Sequence, residues 1–252
     1  MVRRGCATSI AADEGVALPS EPGVRSNRLP ADMVAAIRQL VSDGVVVEGG
    51  DLDIADQDLA VAEEQSLGNI VPARRREFRA GRIYARQALQ ALGIPARIIP
   101  VGPDRVPVWP TGVVGSISHT RSLCAVAVGL SADWTGIGID IEDDSPLSAE
   151  LTKLVSHASE LERRQAIENQ LGYDLPKLLF VIKEAFYKMH FPLHRQFLTF
   201  QDVCVELDVE RRAAQARIVP SGRLALAGNG RFEGRFDRVC GTLFSCFEIA
   251  AH

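Results

Sequence analysis

The strongest pattern in the chain is an almost wholly apolar run from 178 to 189, into which Lys183, Glu184 and Lys188 are set. Its spacing predicts a helix over 176–190, ended by Pro192. On that helix Glu184 and Lys188 lie one turn apart on one face, and Lys183 points elsewhere. A second strong helix is predicted over 74–92. Pro72 suits its start, Gly93 and Pro95 its end, and Phe78, Ala85, Leu89 and Leu92 form its apolar face. Weaker helical patterns cover 31–41, 58–67, 148–155 and 159–170, with Ser159 and Glu162 spaced as a capping box for the last.

Strands are expected at 45–47, closed by a Gly49-Gly50 turn, and at 97–101. Residues 113–120 and 123–128 read as a hairpin turning at Thr120-Arg121-Ser122. Residues 136–142 alternate strictly, and further strands are expected at 201–209, 216–219, 224–227 and 241–250. Helices and strands are mixed, with antiparallel pairs late in the chain, so the expected class is α+β. Residues 1–29 show no period and read as a loose N-terminal segment.

Composition narrows the function classes. The 252 residues, 46% hydrophobic and 24% charged, suffice for one large globular domain or two small ones. A net charge of −4 provides no overall basic field for nucleic acid. No apolar run approaches the ~20 residues that span a bilayer. Arg3 and Arg4 are followed by Asp13 and Glu14 rather than an apolar stretch, so no signal peptide is expected. The 5 cysteines are scattered without metal-ligand spacing, which suggests reduced thiols in a cytoplasmic protein.

Three stretches carry candidate chemistry. In the strand over 136–142, Asp140 and Glu142 project from one face and Ile139 and Ile141 from the other. Two carboxylates so placed repel each other, and solvent, a proton or a cation relieves the repulsion. The bland reading is a strand running into water. The chemical one is a hard-oxygen site for Mg²⁺ beside a substrate phosphate. In the preceding hairpin, Ser116, Ser118 and Thr120 share a face opposite Ile117 and His119, and the glycine and serines there would admit a phosphate to the backbone. On the helix over 74–92, Arg75, Arg79, Arg82 and Arg86 form a basic stripe, either a solvated face or an anion-binding wall. Taken alone, Glu184 and Lys188 are an exposed ion pair on an amphipathic helix.

Read together, Gly115-Ser116-Ile117-Ser118-His119, Gly138-Ile139-Asp140-Ile141-Glu142 and Lys183-Glu184-Ala185-Phe186-Tyr187-Lys188 resemble the motifs of the 4'-phosphopantetheinyl transferases. The likeness is to their single-chain enterobactin-synthase and actinobacterial type. The arginine-rich helix with Glu77-Phe78 and Gly81-Arg82, the loop Arg105-Val106-Pro107-Val108-Trp109-Pro110, and Phe191-Pro192-Leu193 followed by Phe200-Gln201-Asp202 extend the resemblance over roughly 60–250. The chain departs from the family in having Val181-Ile182 before Lys183, and His190 where tryptophan is usual.

The resemblance implies two similar halves, 30–130 and 131–252, related by a pseudo-twofold with the cofactor cleft between them, in a monomer. It implies Mg²⁺-dependent transfer of the phosphopantetheine arm of coenzyme A to a serine of an acyl or peptidyl carrier protein, with release of adenosine 3',5'-bisphosphate. Asp140, Glu142 and Glu184 would hold the metal, and Glu184 would be general base, metal ligand or both. Lys188 would contact the phosphates, with Lys183 in a lesser role. Arg74, Arg82, Arg105, Ser118 and His119, together with Asp140, Glu184 and Lys188, would surround coenzyme A. Two other readings of the same carboxylates and basic helix are a Mg²⁺-dependent hydrolase of a nucleotide diphosphate and a non-catalytic module binding a carrier protein.

Overall fold

The computed structural model describes residues 29–54, 59, 63, 67–68, 70–95, 98–219 and 230–251. The expected loose segment, most of the 58–67 helix and the 224–227 strand lie outside them. The architecture is α+β, two antiparallel sheets with helices on their faces. Helix α1 (Leu29–Leu40) leads into β1 (Val46–Asp51), and α2 (Pro72–Ala91) into the hairpin β2 (Val113–His119) and β3 (Leu123–Leu130). These strands form a three-stranded sheet in the order β1-β3-β2. Strand β4 (Trp134–Asp143) then begins a second sheet. Between β4 and the rest of it come α3 (Ala149–Val155), α4 (Ala158–Leu161), α5 (Arg164–Leu171) and the long α6 (Leu175–His194). Strands β5 (Val203–Asp208), β6 (Ala213–Ile218), β7 (Arg231–Val239) and β8 (Thr242–Ala250) complete it in the order β4-β8-β7-β6-β5.

Three apolar clusters hold these layers. Helix α2 covers one face of the small sheet through Ala85, Ala88 and Leu89 against Cys124, Val126 and Val128. Helix α6 covers one face of the large sheet through Leu178, Ile182, Ala185 and Phe186 against Phe236, Leu243 and Phe247. Helix α1 packs Met33, Val34 and Ile37 on Ala125 and Ala127 of one sheet and on Ile139, Ile141 and Phe244 of the other. The sheets meet at β2 and β4 through side chains, with the Ser116 and Ser118 hydroxyls accepting from the Ile139 and Ile141 N–H groups at 3.1 and 3.2 Å.

Several sequence readings are corrected. Gly49 and Gly50 lie within β1 and form no turn. A side chain at Gly49 would collide with the Cys124 carbonyl, so that glycine is needed for close packing, and one at Gly50 would push aside the Tyr84 hydroxyl. Helix α6 continues through Pro192 and stops at Arg195, which takes the left-handed conformation at φ 51°. The predicted Ser159–Glu162 cap is replaced by Glu160, which accepts from the His157 N–H at 2.6 Å. Of the expected 97–101 strand, only an isolated bridge from Val101 to Pro107 forms among the described residues. Strand β7 was not expected from the sequence.

Candidate active site

Glycine sets the distance between α6 and β4. A side chain at Gly138 would collide with the Ala185 carbonyl and the Met189 backbone nitrogen, so the bare backbone lets the helix lie directly on the strand. Asp140 follows two residues later on the same face of β4, and Lys188 stands over it from α6. The Lys188 ammonium donates to Asp140 Oδ1 at 2.6 Å and to Ser118 Oγ at 3.0 Å. Ser118 in turn donates to Asp140 Oδ1 at 2.7 Å. One residue from each sheet and one from α6 are thereby tied to a single carboxylate oxygen.

The other Asp140 oxygen, Oδ2, is buried with no hydrogen-bond partner among the described residues. Such an atom costs free energy unless something fills the gap. Glu184 lies on the same stripe of α6 as Lys188. Burial, then the Asp140 and Glu142 charges, push its carboxyl up to about 7, against the pull of Lys188. Glu142 is also raised, by burial and by Asp140, although Lys177 donates to its Oε2 at 2.7 Å. Burial works to lower Lys188, but Asp140 and Glu184 outweigh it and hold the ammonium above its ordinary pKa. The group is thus a carboxylate cluster with more negative charge than its lysines neutralise.

Among the described residues, no three His, Cys, Asp or Glu side chains stand ready-made as a metal cage. The donor chemistry nevertheless fits a hard divalent cation. It offers carboxylate oxygens only, one of them orphaned, and raised pKa values that a cation would lower.

The remaining predicted cofactor residues, Arg74, His119, Arg82 and Arg105, divide into three groups. Arg74 Nη1 donates to Glu77 Oε2 at 2.8 Å and lies 3.3 Å from His119 Nε2, which is itself 3.4 Å from Glu77. His119 is held below its ordinary pKa, chiefly by burial, with Lys188 and Arg74 adding to the effect and Glu77 opposing it. It therefore stands within the field of Lys188 and joins the end of β2 to the start of α2. Arg82 is buried rather than on a solvated stripe. Its guanidinium sits 4.3 Å over the Phe78 ring, its Nε is unpartnered among the described residues, and burial lowers it to about 10. Arg105 is not drawn into the cluster. It stands exposed on the loop before β2 at φ 63°, next to Asp104 at φ 57°. The following residues, Val106 and Trp109, line a pocket with Gly136, Leu193 and Arg195.

Lys183 does not face this site. Its side chain is buried, and its ammonium donates to Val155 O and Glu160 Oε2 at 2.8 Å and to Phe200 O at 3.2 Å. The sequence reading missed Lys177, which was legible as the first member of a stripe with Glu184 and Lys188 at i, i+7 and i+11. It named Glu77 only as part of the arginine-rich helix and gave it no site role, although it stands three residues from Arg74.

Two family models match the chain. Residues 62–129 match the 4'-phosphopantetheinyl transferase N-terminal domain, and residues 136–227 match the 4'-phosphopantetheinyl transferase superfamily. The chain is 35% identical to 4'-phosphopantetheinyl transferase Npt of Nocardia iowensis over 74% of its own length and 79% of that protein. It is 31% identical to 4'-phosphopantetheinyl transferase Svp of Streptomyces mobaraensis, over 87% and 90%. Against enterobactin synthase component D of Salmonella typhi it is 34% identical, over 46% and 47%.

Proposed function

The chain belongs to the 4'-phosphopantetheinyl transferase superfamily, an enzyme family that moves the phosphopantetheine group onto carrier proteins, and from that premise we propose how its own residues perform the transfer. Coenzyme A is the donor. The cleft between the halves 30–130 and 131–252 receives it, a division supported by the separate three- and five-stranded sheets. Arg74 and His119 bind its nucleotide phosphates, with Arg82 behind them and Arg105 closing from the loop. Ser118 and Lys188 reach the diphosphate.

The carrier serine hydroxyl attacks the phosphorus that bears the pantetheine arm. A new serine–oxygen–phosphorus bond forms, and the bond to the adenosine-bearing phosphate breaks, releasing adenosine 3',5'-bisphosphate. Glu184 takes the serine proton, and Lys188 offsets the charge gathering on the leaving phosphate. Asp140, Glu142 and Glu184 would hold Mg²⁺, which when bound neutralises the diphosphate. The protein acts as a cytoplasmic monomer, a reading that rests on its scattered cysteines and on the family resemblance.

The observation that carries this reading is the Lys188–Asp140 pair at 2.6 Å, in which Asp140 Oδ2 has no partner among the described residues, beside a Glu184 carboxyl that burial and the neighbouring carboxylates push up to about 7. A base serves best when its pKa lies near working pH. Incubation with an apo carrier protein, Mg²⁺ and a fluorescent coenzyme A tests it. Labelled carrier is expected from the wild type, with labelling lost in Glu184→Gln. If Glu184→Gln labels at the wild-type rate, the assignment of Glu184 is wrong. If no panel of acyl and peptidyl carriers is labelled, coenzyme A is not the donor or none of these is the acceptor.

A further inference from the structure

One charge beside the site has no part in the transfer as described. Lys177 lies in the first turn of α6 with its side chain 8% exposed, its Nζ 2.7 Å from Glu142 Oε2 and 5.2 Å from the Phe180 ring centroid. Asp140 and Glu142 are therefore each held by a lysine of the same helix, Lys188 on the first and Lys177 on the second. Asp140 keeps Oδ2 without a partner among the described residues. Glu142 has a buried ammonium seated directly on it.

We propose that Lys177 is an internal counter-ion that competes with the divalent cation for Glu142 and so sets how tightly the site takes the metal. The inference rests on reading Asp140, Glu142 and Glu184 as the cation's ligands. An ammonium at hydrogen-bonding distance occupies oxygen lone pairs that a cation would use, and its own charge repels the cation at short range. Removing it leaves Glu142 half-buried and unpaired beside Asp140, a repulsion that a divalent cation relieves. Lys177 thus lets the carboxylates stay together before the metal arrives and holds the metal affinity down. A lysine that served only to orient Glu142 for coordination would have the opposite effect, since its removal would weaken metal binding.

The test titrates Mn²⁺ alone into the full chain, following loss of the free-ion EPR signal and, separately, the rise in Tm. Lys177→Met is expected to bind Mn²⁺ on the order of tenfold more tightly than wild type and to gain more Tm from it. Lys177→Arg, which keeps the charge, is expected to stay within about twofold. Lys177→Gln is read the same way as Lys177→Met if the latter does not fold. Equal or weaker binding by the neutral variants overturns the proposal, as does tightening by Lys177→Arg to the same extent. Asp140→Asn separates this failure from that of the underlying reading. If it binds Mn²⁺ as well as wild type does, the metal site itself is misassigned, whatever Lys177 does.

Discussion

Of the three lysine–carboxylate pairs on helix α6 among the described residues, those of Lys183 and Lys188 lie only five residues apart, and they are built on opposite principles. Lys183 and Glu160 are both about 1% exposed in their side chains and fully engaged. The ammonium has three oxygen acceptors, and the carboxylate accepts from the His157 and Val205 N–H groups as well as from Lys183. Lys188 and Asp140 are no farther apart, yet Asp140 Oδ2 has no partner among the described residues and Glu184 is forced up to about 7. The first pair fastens α4, the start of β5 and α6 together. The second is left short of positive charge, the condition in which a carboxylate cluster gains from binding a cation or holding a movable proton. A short ion-pair distance does not distinguish structure from chemistry, whereas the balance of donors and acceptors around the pair does.

The largest effect should come from the incomplete cluster. Glu184→Gln is expected to slow carrier labelling by about 10²–10⁴-fold without lowering Tm. The complete pair should respond in the other currency. Lys183→Met strands a buried carboxylate and is expected to cost about 3–5 kcal/mol in urea unfolding. Its folded fraction should still label carrier within about tenfold of wild type, and a catalytic loss comparable to that of Glu184→Gln would erase the contrast.

A smaller effect has the opposite sign. Because the folded-state pKa of Glu184 is raised, the unfolded chain releases this proton first, so stability falls as pH rises from about 4.5 to about 7. Glu184→Gln should therefore be about 1–3 kcal/mol more stable than metal-free wild type at pH 8, and the gain should vanish at pH 4. The smallest is a pH profile. With metal limiting, labelling should fall about tenfold per unit below pH 7, as the base becomes protonated. Saturating Mg²⁺ should move that inflection to lower pH, because a cation favours the ionised carboxyl.

Much of the frame was legible in the sequence where one physical cause dominated. Helix α2 followed from period and end signals and α6 from its period, although its stop at Pro192 did not hold, and the β2–β3 turn followed from its polar tripeptide. Gly49-Gly50 misled because glycine signals both turns and close packing, and only the positions of Cys124 and Tyr84 decide between them. Strand β7 alternates faithfully, with Phe232, Gly234 and Phe236 on one side, but its charged outer face hid the pattern. The Asp140, Glu184 and Lys188 grouping was visible as motifs. The partners of Lys177 and Lys183 and the burial of Arg82 were not, since each is fixed by residues distant in the chain or by burial that a charge pattern cannot show.

The most direct test is the titration of Glu184 itself, followed by ¹³C NMR of the side-chain carboxyls in metal-free protein. One resonance should titrate near pH 7 and be missing from Glu184→Gln. If Glu184 instead titrates in the ordinary carboxyl range near 4.5, the cluster is as well satisfied as the Lys183–Glu160 pair, and it is not a poised base.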